Sequence, residues 1–189
     1  MILVSGNGKL ANELVKLSTV ETPIVCLSKK DMDITNEYIV SDVIKKYVIS
    51  PNPPKYFIHT AALTKPMKIN DINPIDSLSV NIIGVGNVAR ICKKYGIHYT
   101  YLGTGCIFEY DTEHPFGEEV NGFKEDSLPN FVGSSYSIVK GFTDRLLHNF
   151  EDNVSYRLAA RNPGSYANGL KVAYIDGAAD QTLTYDPDF

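Results

Sequence analysis

A length of 189 residues fits one domain, or one domain with a short appendage, and 43% hydrophobic against 21% charged residues is enough for a packed core. That balance excludes a disordered or collagen-like chain. Eighteen basic against twenty-two acidic residues leave a formal charge of -4, which argues against broad phosphate-backbone binding and so against a nucleic-acid partner. Cys26, Cys92 and Cys106 are too scattered for a disulfide framework, and no CxxC spacing marks a metal site. They read as reduced thiols in a cytoplasmic setting. Met1 to Val4 lacks the basic flank of a signal peptide, and no run approaches the ~18 apolar residues of a membrane span, so no membrane association is expected.

The chain begins with the apolar run Ile2-Leu3-Val4, which ends at Gly6. Leu10, Leu14, Val15 and Leu17 then share a helical face. A second run, Ile24 to Leu27, leads into Ser28-Lys29-Lys30. The next helix carries Ile39, Val43, Ile44 and Val48, with Thr35 as its expected N-cap. Pro51 to Pro54 stops it before a third run, Tyr56-Phe57-Ile58. Another helical face follows with Ile82, Val85, Val88, Ala89 and Cys92. A fourth run, Tyr99 to Leu102, ends at Gly103-Thr104-Gly105. A last helix, 137–150, carries Ile138, Phe142, Leu146 and Leu147. Strands alternating with helices predict an α/β fold: a Rossmann-like, doubly wound parallel sheet. Ligands of such sheets bind at the carboxyl ends of the strands.

Gly6-Asn7-Gly8-Lys9-Leu10-Ala11 fits G-x-G-x-x-A between a strand and a helix. Gly6 permits the tight turn, Gly8 lets backbone approach a pyrophosphate, and Ala11 allows close helix–sheet packing. An ordinary glycine-rich turn is the bland alternative. After the second strand, Lys29 and Lys30 favour NADP(H), with NAD(H) the lesser alternative; solvated surface lysines would look the same. Ala61, Ala62 and Thr64 after the third strand are small enough for a cofactor to lie against backbone, and equally suit a tight turn.

Tyr136 and Lys140 lie at i and i+4, on one helical face. An ammonium near a phenol favours the phenolate, and such a Tyr can exchange a proton with an oxygen undergoing hydride transfer. Thr104, at the end of the fourth strand, offers a hydroxyl to the same oxygen. Asn81 either binds backbone or holds a water that relays protons to Lys140.

Together these residues resemble the extended short-chain dehydrogenase/reductases, in their nucleotide-sugar branch. That branch holds dTDP-4-dehydrorhamnose reductases and plant-type UDP-4-keto-6-deoxyglucose 3,5-epimerase/4-reductases. The most specific likeness runs through Gly103 to Asp111, Gly122 to Asp126 and Pro129 to Tyr136; His59 to Ala62 and Ser79 to Gly84 also fit. The resemblance covers about residues 1 to 158, an NAD(P)-binding domain. It fails over 159–189, a divergent or truncated segment, so the C-terminal substrate-binding domain is reduced or missing.

The resemblance implies NADPH-dependent reduction of a nucleotide-linked 4-keto-6-deoxy sugar in rhamnose-type sugar biosynthesis. Tyr136 is then the general acid at the sugar C4 oxygen, Lys140 its activator and a ribose ligand, and Thr104 a second hydrogen-bonding partner. Gly6, Asn7, Gly8, Lys9 and Leu10 cradle the pyrophosphate, while Asp33 and Ile34 lie near the adenine. In bifunctional relatives a cysteine at the position of Cys106 takes part in 3,5-epimerisation; a buried small hydrophobe is the alternative. The missing domain motivates a different possibility, a non-catalytic NADP-binding regulatory or split subunit. A homodimer or a partner subunit would cover surface left open by the shortened C-terminus.

Overall fold

Four short strands lie side by side in the order β2-β1-β3-β4: β1 (Ile2–Ser5), β2 (Ile24–Leu27), β3 (Tyr56–His59) and β4 (His98–Tyr101). The computed structural model describes residues 1–64, 73–116, 121–124 and 126–149. The boundary expected at 158 and the segment 159–189 lie outside the described residues. All pairings are parallel, with Ile2 opposite Ile24 on one side and opposite Tyr56 on the other. The fold is Rossmann-like.

Crossing from β1 to β2 moves outward in one direction, and crossing from β2 to β3 moves back past β1. Both crossovers being right-handed, α1 (Lys9–Val15) and α2 (Glu37–Val48) fall on opposite faces. The order reverses between β1 and β3, which opens a crevice at their carboxyl ends.

The main core lies on the α2 face. Leu3, Leu27, Phe57, Tyr99 and Tyr101 alternate toward it and meet Val40 and Ile44 of α2. Val85, Val88, Ala89 and Cys92 complete it from α4 (Val85–Lys94). That helix is the last part of one long rod: α3 (Pro74–Leu78), a π-helical turn (Ser79–Gly84), then α4. After β4 come a 3-10 turn (Gly105–Ile107) and α5 (Ser135–His148).

Three sequence expectations change. Asn36, not Thr35, caps α2, accepting hydrogen bonds from the amides of Tyr38 and Ile39. The Thr35 hydroxyl instead donates to Asp33 at 2.7 Å. On α1 only Ala11 is buried, and Leu17, past the end of the helix, is 68% exposed. On α5 the row Ile138, Phe142, Leu146 faces outward at 46–55% exposure. The inner face of α5 is taken by Tyr136, Val139, Lys140, Thr143 and Leu147. Of the four apolar residues expected on the core face only Leu147 is buried there, because polar residues claim most of the inside.

Candidate active site

Gly6 has φ +96°, a conformation open to glycine. A Cβ there would stand 3.2 Å from Thr60 Oγ1 and 3.3 Å from the Ala61 backbone, so the first turn sits tightly against the third. Thr60 Oγ1 also donates to the Ser5 carbonyl, which locks the two strand ends together. Gly8 caps α1 with no side-chain hydrogen bond, and a Cβ on it would meet no protein atom within 4 Å. Close packing behind and open space in front are what a turn pressed against a phosphate chain needs. Gly6→Ala is expected to cost about 1–3 kcal/mol in urea unfolding, because it combines backbone strain with that contact.

The turn opens onto a cavity of about 410 Å³ at the carboxyl ends of all four strands. Residues 6 to 11 form one wall. Lys29, Asp33 and Ile34 form the end beyond β2, and Ala61, Ala62 and Thr64 the wall beyond β3. Gly103 and Lys140 close the far side. Thus the cofactor-binding positions expected from the sequence, apart from Lys30 and Tyr136, line one space. Tyr136, Thr104, Asn81 and Cys106 do not line it.

At the β2 end, Asp33 accepts from both the amide and hydroxyl of Thr35, at 3.0 and 2.7 Å. Those bonds hold its carboxyl below the usual range, with the Lys29 ammonium 3.8 Å away adding to the effect. The Lys29 side chain is 82% exposed and free to swing toward an anion.

Lys140 is only 3% exposed, and a buried ammonium needs compensation. Its Nζ donates to the Leu102 carbonyl at 3.0 Å and lies 4.6 Å over the Tyr101 ring. Ser134 starts α5 by accepting from the Ser137 amide at 3.0 Å, which sets the phase of the helix. Tyr136, one turn before Lys140 on the same face, is 3% exposed. Thr104 is equally buried, and its Oγ1 accepts from the Cys106 amide at 3.2 Å. Cys106 sits half-buried in the 3-10 turn.

Asn81 occupies the π-helical turn, and its side chain binds backbone. Oδ1 accepts from the Leu63 amide at 2.9 Å, and Nδ2 donates to the Leu63 carbonyl at 3.1 Å.

Sequence reasoning passed over His59, which also lines the cavity. Its Nε2–H donates to the Ala61 carbonyl at 2.9 Å, fixing the tautomer. Burial, and then the charge of Lys140, push its pKa down to about 3. The imidazole is therefore neutral beside the ammonium. The signal was available: period-two alternation in β3 places His59 with Phe57 on the buried face.

The profile of the family described as "RmlD substrate binding domain" matches residues 1–122. The chain belongs to that family. It is 52% identical over 80 residues to the uncharacterized protein L780 of Acanthamoeba polyphaga mimivirus, covering 42% of this chain and 27% of that one. It is 35% identical over 107 residues to the bifunctional dTDP-4-dehydrorhamnose 3,5-epimerase/dTDP-4-dehydrorhamnose reductase of Arabidopsis thaliana, covering 56% and 35% of the two chains. The crystal structure of the mimivirus L780 UDP-rhamnose synthase superposes with TM-score 0.66 at 29% identity, over 85% of this chain and 55% of that one. The dTDP-4-dehydrorhamnose reductase of Bacillus anthracis, solved in complex with NADP, gives TM-score 0.69 at 24% identity, over 84% and 52%. The chain thus spans about half the length of these solved RmlD-type relatives.

Proposed function

We propose that this RmlD-family chain binds NADP(H) in the cavity and reduces the 4-keto group of a nucleotide-linked 6-deoxy sugar in rhamnose-type biosynthesis. The observation that supports it most is the placement of Lys140. Its ammonium closes a cavity that begins at the glycine turn, and Tyr136 sits one turn away on the same buried helix face. The bare Gly8 surface and the tight Gly6 turn fit a dinucleotide pyrophosphate. When bound, the cofactor supplies the hydride.

The protein's own residues have the following parts. The backbone of residues 6 to 10 holds the pyrophosphate, and Asp33 and Ile34 border the adenine. Lys29 meets a ribose phosphate. Ala61, Ala62 and Thr64 form the wall along which the cofactor extends toward Lys140. Lys140 binds the nicotinamide ribose and favours the ionised phenol. Tyr136 gives its proton to the ketone oxygen as that oxygen gains charge, and Thr104 donates a hydrogen bond to the same atom. For Asn81 the Leu63 contact supports a structural part. The epimerase step stays with Cys106, supported by its half-buried place two residues beyond Thr104.

Titrating the purified chain with NADPH, NADH and then a dTDP- or UDP-4-keto-6-deoxy sugar tests this. Tight NADPH binding with sugar-dependent oxidation is the expected result. Lys29→Ala is expected to weaken NADPH about tenfold while leaving NADH nearly unchanged, since one phosphate contact is lost. That Tyr136 and Thr104 do not line the cavity favours a second reading, a nucleotide-binding subunit without turnover, which NADPH binding without sugar-dependent oxidation would establish.

The outward row of α5 supports a homodimer. Ile138, Phe142 and Leu146, with Ile75 and Leu78 of neighbouring α3, are 38–67% exposed, the kind of apolar surface that marks an interface. Light scattering is expected to show a dimer that Phe142→Glu converts to a monomer.

A further inference from the structure

The π-helical turn touches both long walls of the cavity. Asn81 grips the Leu63 backbone by its amide and carbonyl. Gly84 packs so closely on the Ile34 side chain that a Cβ would stand 2.7 Å from it. Asn87, three residues further on in the first turn of α4, donates to the Ile34 carbonyl at 2.9 Å. Leu63 and Ile34 both line the cavity. The phase of this one turn therefore sets the backbone on two sides of the cofactor space. Short π turns are strained insertions that persist when neighbours hold them.

One such neighbour comes from the catalytic helix. Thr143 is 2% exposed, and its Oγ1 lies 2.7 Å from the Asn81 carbonyl and 2.9 Å from its own Val139 carbonyl. A hydroxyl has one proton, so the two carbonyls share it, and the Asn81 contact is the shorter. Thr143 lines no part of the cavity and stands one turn beyond Lys140 on α5. Asn81 is thus held at both ends: its main-chain oxygen by Thr143, its side chain by Leu63 and by Ser77 Oγ at 3.2 Å.

We propose that Thr143 is a positioning residue for cofactor binding, which braces the π turn so that Asn81 can hold the Leu63 wall in place. The proposal rests on the reading that the cavity takes a pyridine dinucleotide. Thr143→Val keeps the shape and removes the donor. The Asn81 carbonyl then keeps no donor from α5 in a buried setting, and the grip on Leu63 loosens.

Calorimetric titration with NADPH is expected to show about tenfold weaker binding for Thr143→Val, as suits the loss of one buried hydrogen bond. Thr143→Ser, which restores the hydroxyl, is expected to return within about twofold of the parent. Leu147→Ala supplies the control: it opens a void in the main core on the same helix and is expected to lower the melting temperature without changing NADPH affinity. Undiminished binding by Thr143→Val, failure of Thr143→Ser to restore it, or equal weakening by Leu147→Ala would each overturn the proposal. If the parent chain itself binds no dinucleotide, it is the cofactor reading that fails. The brace is then read from amide exchange at Leu63: Thr143→Val speeds it at least tenfold more than Leu147→Ala if Thr143 holds the turn, and equal rates reject it.

Discussion

Replacing Tyr136 by Phe is expected to lower the rate of ketosugar reduction by about 10²–10⁴-fold, the span typical of losing one general acid. The ring is expected to stay in place, because Tyr136 is 3% exposed and Phe keeps the size of the ring. NADPH affinity is expected to hold, since Tyr136 lines no part of the cavity. Lys140→Met makes the contrast. Lys140 does line the cavity, so that substitution is expected to reduce both affinity and rate. Steady-state kinetics beside a binding titration separate the two patterns. Retained ketoreduction in Tyr136→Phe would remove Tyr136 from the mechanism.

The second large effect is on stability and comes from His59. Its pKa in the fold is about 3, against 6.5 for the unperturbed group. Between those values the unfolded chain binds a proton that the folded chain refuses. Stability from this group is therefore complete above about pH 6.5 and is lost as pH falls toward 3. From pH 7 to pH 5 the loss is about 2 kcal/mol. Three of the carboxylates titrate outside this window. Asp31, Asp33 and Asp111 are held below their usual range by hydrogen bonds, so their contributions fade only at more acid pH. Urea unfolding at pH 7 and pH 5 measures the difference. His59→Gln, which keeps a donor for the Ala61 carbonyl, is expected to flatten it.

Much of this arrangement was legible in the residues. Apolar runs marked the four described strands, because β-branched and aromatic residues fill them and alternate ones face the core. The glycine turn was legible because each glycine answers a backbone demand, a positive φ at Gly6 and open space at Gly8. Helix orientation was less so. The face of α5 was misassigned because Lys140, Thr143 and Asp144 are buried by their partners in the site, which hydropathy does not register. The π turn was invisible for a related reason. Ser79 to Gly84 reads as ordinary helix, and only the reach of Asn81 to Leu63 and the closeness of Gly84 to Ile34 reveal the shifted phase. Thr35 lost its expected capping place because its hydroxyl had a stronger local acceptor in Asp33.

The strand order also governs how such a chain is made. β1 is hydrogen-bonded on both sides, to β2 and to β3, and no other described strand joins those two. It leaves the ribosome before either partner. Even after Ile24 to Leu27 have paired with it, its other edge stays open until Tyr56 to His59 have emerged and looped back past β2. Sheet formation is committed by this one long-range closure rather than by any local hairpin. Folding is accordingly expected to start slowly and to be exposed to misassociation during synthesis, and excising β1 would leave β2 with no neighbour among the described strands.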